Sequence, residues 1–515
     1  MAELSDPGHA AREGSSGAAQ HPHPPGTYPV VVVGSGPGGL QVAYSLRARG
    51  VRYAHLSADA EPGGMFRRFP LFQRLLSWTK LHAPYPPGSR GYEWYDWNSL
   101  LGDTPDDRAL MPGLMERTSS FPSRPEMQRN LELFAERAAL PIRYGTRWER
   151  TRREDDGGFV LETTEGEYRC RVAVFAVGAA EPFTPRTPGL DQVPHYADTR
   201  SAETYAGKRV FIVGKQNSAF ELATGLLPVA RSIVLASPRP PTLSVNAHSL
   251  NGIRARYVQP WEDHVVGGGV TSLNAAIERV DRAADGYRIH LRRTDADHTM
   301  EVDADEVIAA TGFVCPLQDL PEVGVATYGQ QRWPVLTPWW ESATVPGIYF
   351  AGTIGQASPG LRKWGLPANS GAVQGARYNA RLVAERIAER HFGQQRLRPE
   401  VTPNRLVPFL LDEASRAPEL WNQKSYLCRV VTRDADGALR DDGIQPLQPF
   451  VDEAGPDAVA IAVEENDGDA IYPALYVRQA GRVSTDVELA PDPLHRFEQE
   501  PYQAELRSRL AAFLP

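Results

Sequence analysis

The chain has 515 residues, 42% of them hydrophobic, and a formal net charge of −8. That length exceeds what one hydrophobic core usually serves, so two or three domains are expected. The acidic balance argues against a general nucleic-acid-binding role, and with neither a membrane-length apolar run nor a secretory-type amino terminus, a cytoplasmic protein without nucleic-acid or membrane partners is the default expectation.

Lysine occurs only at Lys80, Lys208, Lys215, Lys363 and Lys424, a bias that fits a GC-rich coding sequence. The three cysteines, Cys170, Cys315 and Cys428, are far apart, so neither a disulfide framework nor a CxxC redox pair is expected.

In chain order, residues 1–28 are rich in Gly, Ala, Ser, His and Pro and read as a disordered tail. His9, His21 and His23 there read as solvated groups rather than metal ligands, and no metal site is expected. Val30 to Leu40 then runs as an apolar strand into Gly34-x-Gly36-x-x-Gly39 and a helix-like segment. In that context the first glycine permits the tight turn, the second lets backbone approach a diphosphate, and the third lets helix and sheet pack closely. The diphosphate would meet the positive end of the helix dipole. Tyr53–Leu56 is the expected next strand, and Pro62-Gly63-Gly64 turn the chain toward a bound cofactor. The acidic ribose ligand usual after that strand is missing; Ser57 stands in its place, with Asp59 nearby.

Phe175-Ala176-Val177-Gly178 ends a further strand. Lys208 to Gly214 reads as another strand entering a turn, followed by a helix from Asn217 to Leu227. Gln216 occupies the place of a second glycine, and Asn217 and Ser218 offer side-chain donors or helix caps. The next strand, Ser232–Ala236, ends in Ser237-Pro238-Arg239, which places an arginine either on a coenzyme 2′-phosphate or in solvent. Glu306–Ala310 and Gly347–Gly352 read as later strands, and Ala368 to Arg386 as a helix rich in small residues. Beyond it, Ala458–Val463 and Ala474–Val477 read as strands that reveal no chemistry.

This succession, with GKQNSAFE, Ala310-Thr311-Gly312, FAGT, RFPLFQRLLSWTK, FELATGLL and KWGLPANSGAVQGARYNARL, resembles the flavin-containing monooxygenases and, more closely, the related FAD-dependent oxidoreductase domain-containing proteins. The resemblance implies an α/β fold of two interleaved Rossmann-like dinucleotide-binding domains and a small C-terminal domain. After the tail, the FAD domain takes residues 29–195 and 302–395, the NADPH domain 196–301, and an α/β or mostly β accessory unit 396–515. Carried over, Gly34, Gly36 and Gly39 hold the FAD diphosphate and Gly63, Gly64 and Phe66 its inner face. Trp148 lies where the chain passes the adenine, Gly178 at a cofactor-facing strand end, and Gly352 and Thr353 beside the ribityl and phosphate portion. Gly214, Asn217, Ser218 and Arg239 serve NADPH. Trp78, Thr79, Lys80 and Gln356 become the active-site candidates, with Arg362, Lys363 and Trp364 at the entrance.

The activity implied is hydride transfer from NADPH to flavin, followed by oxygen addition to give a C4a-(hydro)peroxyflavin that a nucleophilic substrate attacks. Family monooxygenases often place a polar amide where this chain has Trp78. The Baeyer–Villiger signature is not reproduced around Phe183 to Thr199. N-hydroxylation of a small amine or amino acid is therefore the expected reaction, with Arg67, Arg68 and Arg74 as candidate carboxylate ligands. Two rivals stay open: a flavin oxidase that uses NAD(P)H and releases hydrogen peroxide, and a non-catalytic flavin-containing interaction protein. The oligomeric state is open too, a homodimer being one option.

Overall fold

The computed structural model describes residues 21–72, 74–242, 253–329, 331–356, 371–466 and 470–514. The chain opens with β1 (Gly26–Val33), α1 (Pro37–Ala48) and β2 (Tyr53–Leu56). Helix α2 (Arg124–Arg137) starts at a capping box, Ser123 Oγ accepting from the Glu126 amide and the Glu126 carboxylate from the Ser123 amide. Strands β3 (Trp148–Arg153), β4 (Phe159–Thr163) and β5 (Gly166–Phe175) follow.

The next stretch carries β6 (Arg209–Val213), α3 (Asn217–Leu226), β7 (Ser232–Ser237), α4 (Gln259–Val265) and β8 (Val270–Ala283). It continues through β9 (Gly286–Arg293), β10 (Thr299–Ala304) and β11 (Glu306–Ala309). Strand β12 (Ile348–Phe350) and helix α5 (Val373–Phe392) then lead to the C-terminal part. That part contains α6 (Pro403–Arg416), α7 (Pro418–Asn422), β13 (Leu427–Arg433), β14 (Leu439–Pro446), α8 (Leu447–Asp452), β15 (Ala458–Glu465), β16 (Ile471–Gln479), β17 (Arg482–Glu488) and α9 (Glu500–Arg509).

Two sheets are interleaved along the chain. The first has the order β2-β1-β5-β4-β3, with β12 also pairing β5; β1 runs parallel to β2 and β5, and β12 parallel to β5. Val30, Val31, Val32 and Val33 of β1 are all buried, the continuous apolar run expected of a parallel strand covered on both faces. The second sheet has the order β10-β9-β8-β7-β6-β11: β11, β6, β7 and β8 are parallel, and β8, β9 and β10 form an antiparallel meander. All of it lies between β5 and β12 in sequence.

A third sheet, β14-β13-β15-β16-β17, is antiparallel throughout. One face, with Val431, Val459, Ile461, Val463, Leu475 and Val477, joins Leu406 and Leu410 of α6 and the inward side of α5 in a single apolar core with the first sheet. The other face is lined by Ala458, Ala460 and Ala462 and covered by Leu447 and Phe450 of α8. The C-terminal part thus does not have a core of its own on its inner side.

Two expectations need correction. Residues 21–28, read as part of a disordered tail, lead into and begin β1, where Gly26 to Tyr28 pair with β5. His23 packs on the rings of Tyr28 and Tyr53, and its carbonyl accepts from the Tyr168 hydroxyl at 2.8 Å. Composition spoke for a loop, but aromatic packing outweighs it. The helix expected over Ala368–Arg386 starts at Val373 and ends at Phe392, closed by Gly393 in a left-handed conformation.

Because the core is shared, we predict that Leu410→Ala, at a fully buried site, costs about 2–5 kcal/mol. Amide exchange should speed up in β1 and β15 together. Faster exchange confined to β15 would show two separate folding units.

Candidate functional site

The first glycine turn is shaped by backbone contact. A Cβ at Gly34 would lie 2.5 Å from the Ala176 carbonyl oxygen, and one at Gly39 would lie 1.9 Å from the Gly34 carbonyl oxygen. These positions are glycine because strand end and helix start leave no room for a side chain. Gly36 differs: its added Cβ would meet nothing nearer than Gly64 Cα at 3.9 Å. The space over that turn is therefore open to a ligand, and Gly36 is the N-cap of α1, whose first turn carries no acidic residue. Such an arrangement favours a diphosphate.

The surrounding chain completes the cradle. Gly63 donates to the Ser35 carbonyl at 2.9 Å and brings Gly64 beside Gly36. Gln128 of α2 holds that loop through a 2.7 Å hydrogen bond to the Pro62 carbonyl. Gly352, at the end of β12, approaches Gly38 so closely that a Cβ there would lie 2.5 Å from its nitrogen. Thr353 starts the tight turn after β12, and Gln356 closes it, its amide on the Thr353 carbonyl at 3.1 Å. The Gln356 side chain lies against Gly371 just ahead of α5. His55 sits beneath the turn on the Gly34 carbonyl at 2.9 Å, and burial pushes its pKa down to about 4, so the neutral ring donates there.

Gly34, Gly36, Gly39, Gly63, Gly64 and Gly352 are thus gathered at one place, and four other candidates have different surroundings. Ser57 is buried with its hydroxyl on Ser35 Oγ at 2.7 Å, and it also accepts from the Asp59 amide. It stabilises the turn instead of offering a free ribose ligand. The indole of Trp148 packs on Phe175 at 4.6 Å and donates to Thr151, so it belongs to the core and leaves only its main chain for an adenine. Phe66 packs among the apolar side chains near Leu40 and Tyr44. Gly178, with φ of 69°, has open space where a side chain would be.

The Trp78–Lys80 segment is held by a polar lattice. Thr79 is fully buried; its hydroxyl donates to Asp96 at 2.9 Å and accepts from Asn98 at 2.9 Å. Arg377 of α5 donates to the carbonyls of Asp96 and Ser99 at 2.9 and 2.8 Å. Thr79 is therefore a positioning residue with no face toward a cavity, a correction to its reading as an active-site group. Trp78 stacks edge-on against Trp97 at 5.3 Å, and its Nε1–H is buried without an acceptor among the described residues. Lys80 is exposed, its ammonium over the rings of Trp78 and Tyr95 at 5.7 and 5.9 Å. Arg362, Lys363 and Trp364 lie outside the described residues.

The second turn repeats the pattern on β6 and α3. A Cβ at Gly214 would lie 2.4 Å from the Ala310 carbonyl oxygen. Gln216 is the N-cap of α3 and makes no side-chain cap; Asn217 Oδ1 accepts from the Arg254 amide at 2.9 Å, and Ser218 follows in the first helical turn. Arg239 is exposed past the end of β7, its carbonyl accepting from Ser237 Oγ at 3.2 Å. Sequence reasoning missed Arg254 and Arg256. Burial lowers the pKa of both, and the buried Arg256 Nε has no acceptor among the described residues. It also missed Glu221, which ties the Phe72 amide and the Tyr196 hydroxyl to α3.

The sequence pattern of the pyridine nucleotide-disulphide oxidoreductases matches residues 31–352, more than half of the chain. The chain belongs to that family. Mouse FAD-dependent oxidoreductase domain-containing protein 2 is 27% identical over 440 residues, 78% of this chain and 64% of the mouse protein. The chain thus spans less than two thirds of that relative. Bacillithiol disulfide reductase from Staphylococcus aureus has the same fold at a TM-score of 0.55 and 18% identity, over 72% of this chain and 99% of that one. A flavin-containing monooxygenase from Stenotrophomonas maltophilia does so at 0.51 and 21%, over 70% and 98%. By family this protein is a pyridine nucleotide-disulphide oxidoreductase, and it is similar to FAD-dependent oxidoreductase domain-containing protein 2. All three of its cysteines are buried and unpaired, so the thiol pair of a disulfide reductase is absent.

The open space at Gly36 and the tight contact at Gly39 separate ligand binding from folding. Gly36→Val should fold with unchanged circular dichroism yet purify without flavin absorbance. Gly39→Ala should disturb the turn itself and lower the melting temperature. A yellow Gly36→Val protein would remove the diphosphate from this turn.

Proposed function

We propose that this protein is an NADPH-dependent FAD monooxygenase that hydroxylates the nitrogen of a small amine or amino acid. The observation that carries the reading is the buried, acceptor-free Nε1–H of Trp78, in the segment that the family resemblance sets against the flavin ring. A preorganised donor held away from water is what an oxygen-transferring site needs, because it stabilises developing negative charge without solvent reorganisation.

Bound FAD would take a hydride from the nicotinamide and supply the electrons that reduce one oxygen atom to water while the other enters the amine. The glycine turn at Gly34–Gly39 would hold the diphosphate by main-chain amides, and the turn after β12 would position the ribityl chain. Thr79, Asp96, Asn98 and Arg377 fix the Trp78 segment, so its N–H stays in one place. Arg67 and Arg74, two of the proposed carboxylate ligands, already face carboxylates: Asp59 at 3.3 Å for Arg67, and Glu116 at 3.0 Å for Arg74. Arg256, stacked over Phe121 at 5.1 Å with an unused Nε, is the better candidate for a substrate carboxylate. Arg239, exposed at the strand end, would meet the coenzyme phosphate. The buried, unpaired thiols suit a reducing compartment, which supports a cytoplasmic location for the enzyme.

The test is a panel of amines and amino acids assayed for NADPH consumption, hydroxylated product and hydrogen peroxide. Product in step with NADPH supports the proposal; peroxide in full stoichiometry with every substrate makes the protein an oxidase, and no NADPH consumption supports a binding role. Trp78→Phe keeps the ring and removes the N–H. It should shift turnover from product toward peroxide by about 100-fold or more, the usual effect of losing one such donor. For Lys80→Ala, impaired turnover with FAD still bound is expected; unchanged kinetics would leave that lysine as surface.

A further inference from the structure

Lys215, the residue after Gly214, is buried, with 1% of its surface exposed. Its ammonium donates to the amide oxygen of Asn274 on β8, and no described carboxylate lies within ion-pairing reach. The acid whose charge acts on it, Asp295, is engaged by Arg293 at 2.7 Å and touches Asn274 Nδ2 only at 3.5 Å. Burial lowers the lysine's pKa to about 8, against the pull of Asp295. A buried ammonium facing a neutral amide is costly in the free protein unless a ligand brings the counter-charge.

The position says which ligand. Asn274 pairs in register with Ser237, the last residue of β7. The loop after β9 is fastened to the same place, the Thr294 amide on the Asn274 carbonyl at 2.9 Å and the Thr294 hydroxyl on the Pro238 carbonyl at 2.5 Å. The amine therefore lies beside the C-terminal end of the second strand of a β-turn-α-β unit, where this architecture receives the adenosine ribose. Arg239 stands on the solvent side of that end.

We propose that Lys215 selects the phosphorylated coenzyme, its ammonium leaving Asn274 to meet a phosphate monoester on the adenosine ribose while Arg239 approaches from solvent. The inference rests on the nicotinamide-dinucleotide reading above and adds the residue that decides NADPH over NADH. A lysine suits this part, being a point charge on a flexible stem that can exchange an amide for a phosphate.

The pH dependence has a definite sign. The charged and titratable groups facing this strand end are Arg239 after β7, Arg293 and Asp295 after β9, and His264 of α4, whose Nδ1 accepts from the Ser272 amide at 3.0 Å. A bound phosphate raises the lysine's pKa. Preference for the phosphorylated ligand is then full below pH of about 8, and it is lost as pH rises through the raised value, with proton uptake on binding in between.

Calorimetry on the FAD-loaded protein with 2′,5′-ADP and 5′-AMP as probes tests this. Lys215→Met should weaken 2′,5′-ADP by about tenfold or more and leave 5′-AMP nearly unchanged. At pH 8.5, wild-type binding of 2′,5′-ADP should take up protons, measured by comparing buffers of different ionisation enthalpy, and Lys215→Met should not. Because the methionine also removes an uncompensated buried charge, the ligand-free variant should melt no lower than wild type; a lower melting temperature would point to a structural lysine. Lys215→Arg, which keeps the charge, should retain the preference for 2′,5′-ADP. Equal losses for both probes, or no loss, overturn the assignment of Lys215 and leave the nicotinamide site standing. Failure of wild type to bind either probe or NADP+ overturns the nicotinamide reading itself.

Discussion

The structure depends on backbone brought against backbone where side chains are missing. The start of α1 sits against the end of β1 and the end of β12 at distances that a single Cβ at Gly34, Gly38 or Gly39 would violate. That contact joins the first strand of the fold to a strand more than three hundred residues later, and it leaves the α1 amide terminus facing open space. The binding cradle and the topological closure of the first sheet are therefore the same feature. A substitution that fills the contact acts on folding, whereas one at Gly36 meets only the open space over the turn.

The polar lattice around Asp96 extends this arrangement outward. Thr79, Asn98, Ser99 and Arg377 are all buried and hydrogen-bonded to one another or to nearby carbonyls. Next to it, Arg90 binds Glu413 with two hydrogen bonds, at 2.6 and 2.8 Å, and Glu419 at 2.9 Å, while Trp94 packs on Trp421 at 4.9 Å. The C-terminal helices thus press on the segment that follows Trp78 and Lys80. With the shared apolar core, this gives residues 403–514 a mechanical part in holding the site. No helix of the described residues is long and apolar enough to cross a membrane.

At and beyond the second turn, two cations lack a full set of partners among the described residues. Lys215 rests on an amide, and Arg256 keeps a buried Nε without an acceptor. Many other arginines are taken up by carboxylates, as in the pairs of Arg209 with Asp305 at 2.6 Å and Arg288 with Asp303 at 2.9 Å.

The sequence by itself determined the two glycine turns, the parallel strands that feed them and the strands at Ala458 and Ala474, because these follow from local patterns: apolar runs, glycine spacing and strand-length alternation. Only the tertiary structure decided what each side chain faces. Ser57 looked like a ribose ligand until Ser35 was found across from it, and Thr79 like an active-site group until Asp96 and Asn98 enclosed it. Lys215 was visible as one of five lysines, but its burial and its Asn274 partner come from a strand almost sixty residues away. Hydrogen-bond partners and desolvation depend on groups that folding brings in from distant parts of the chain, which no local pattern records.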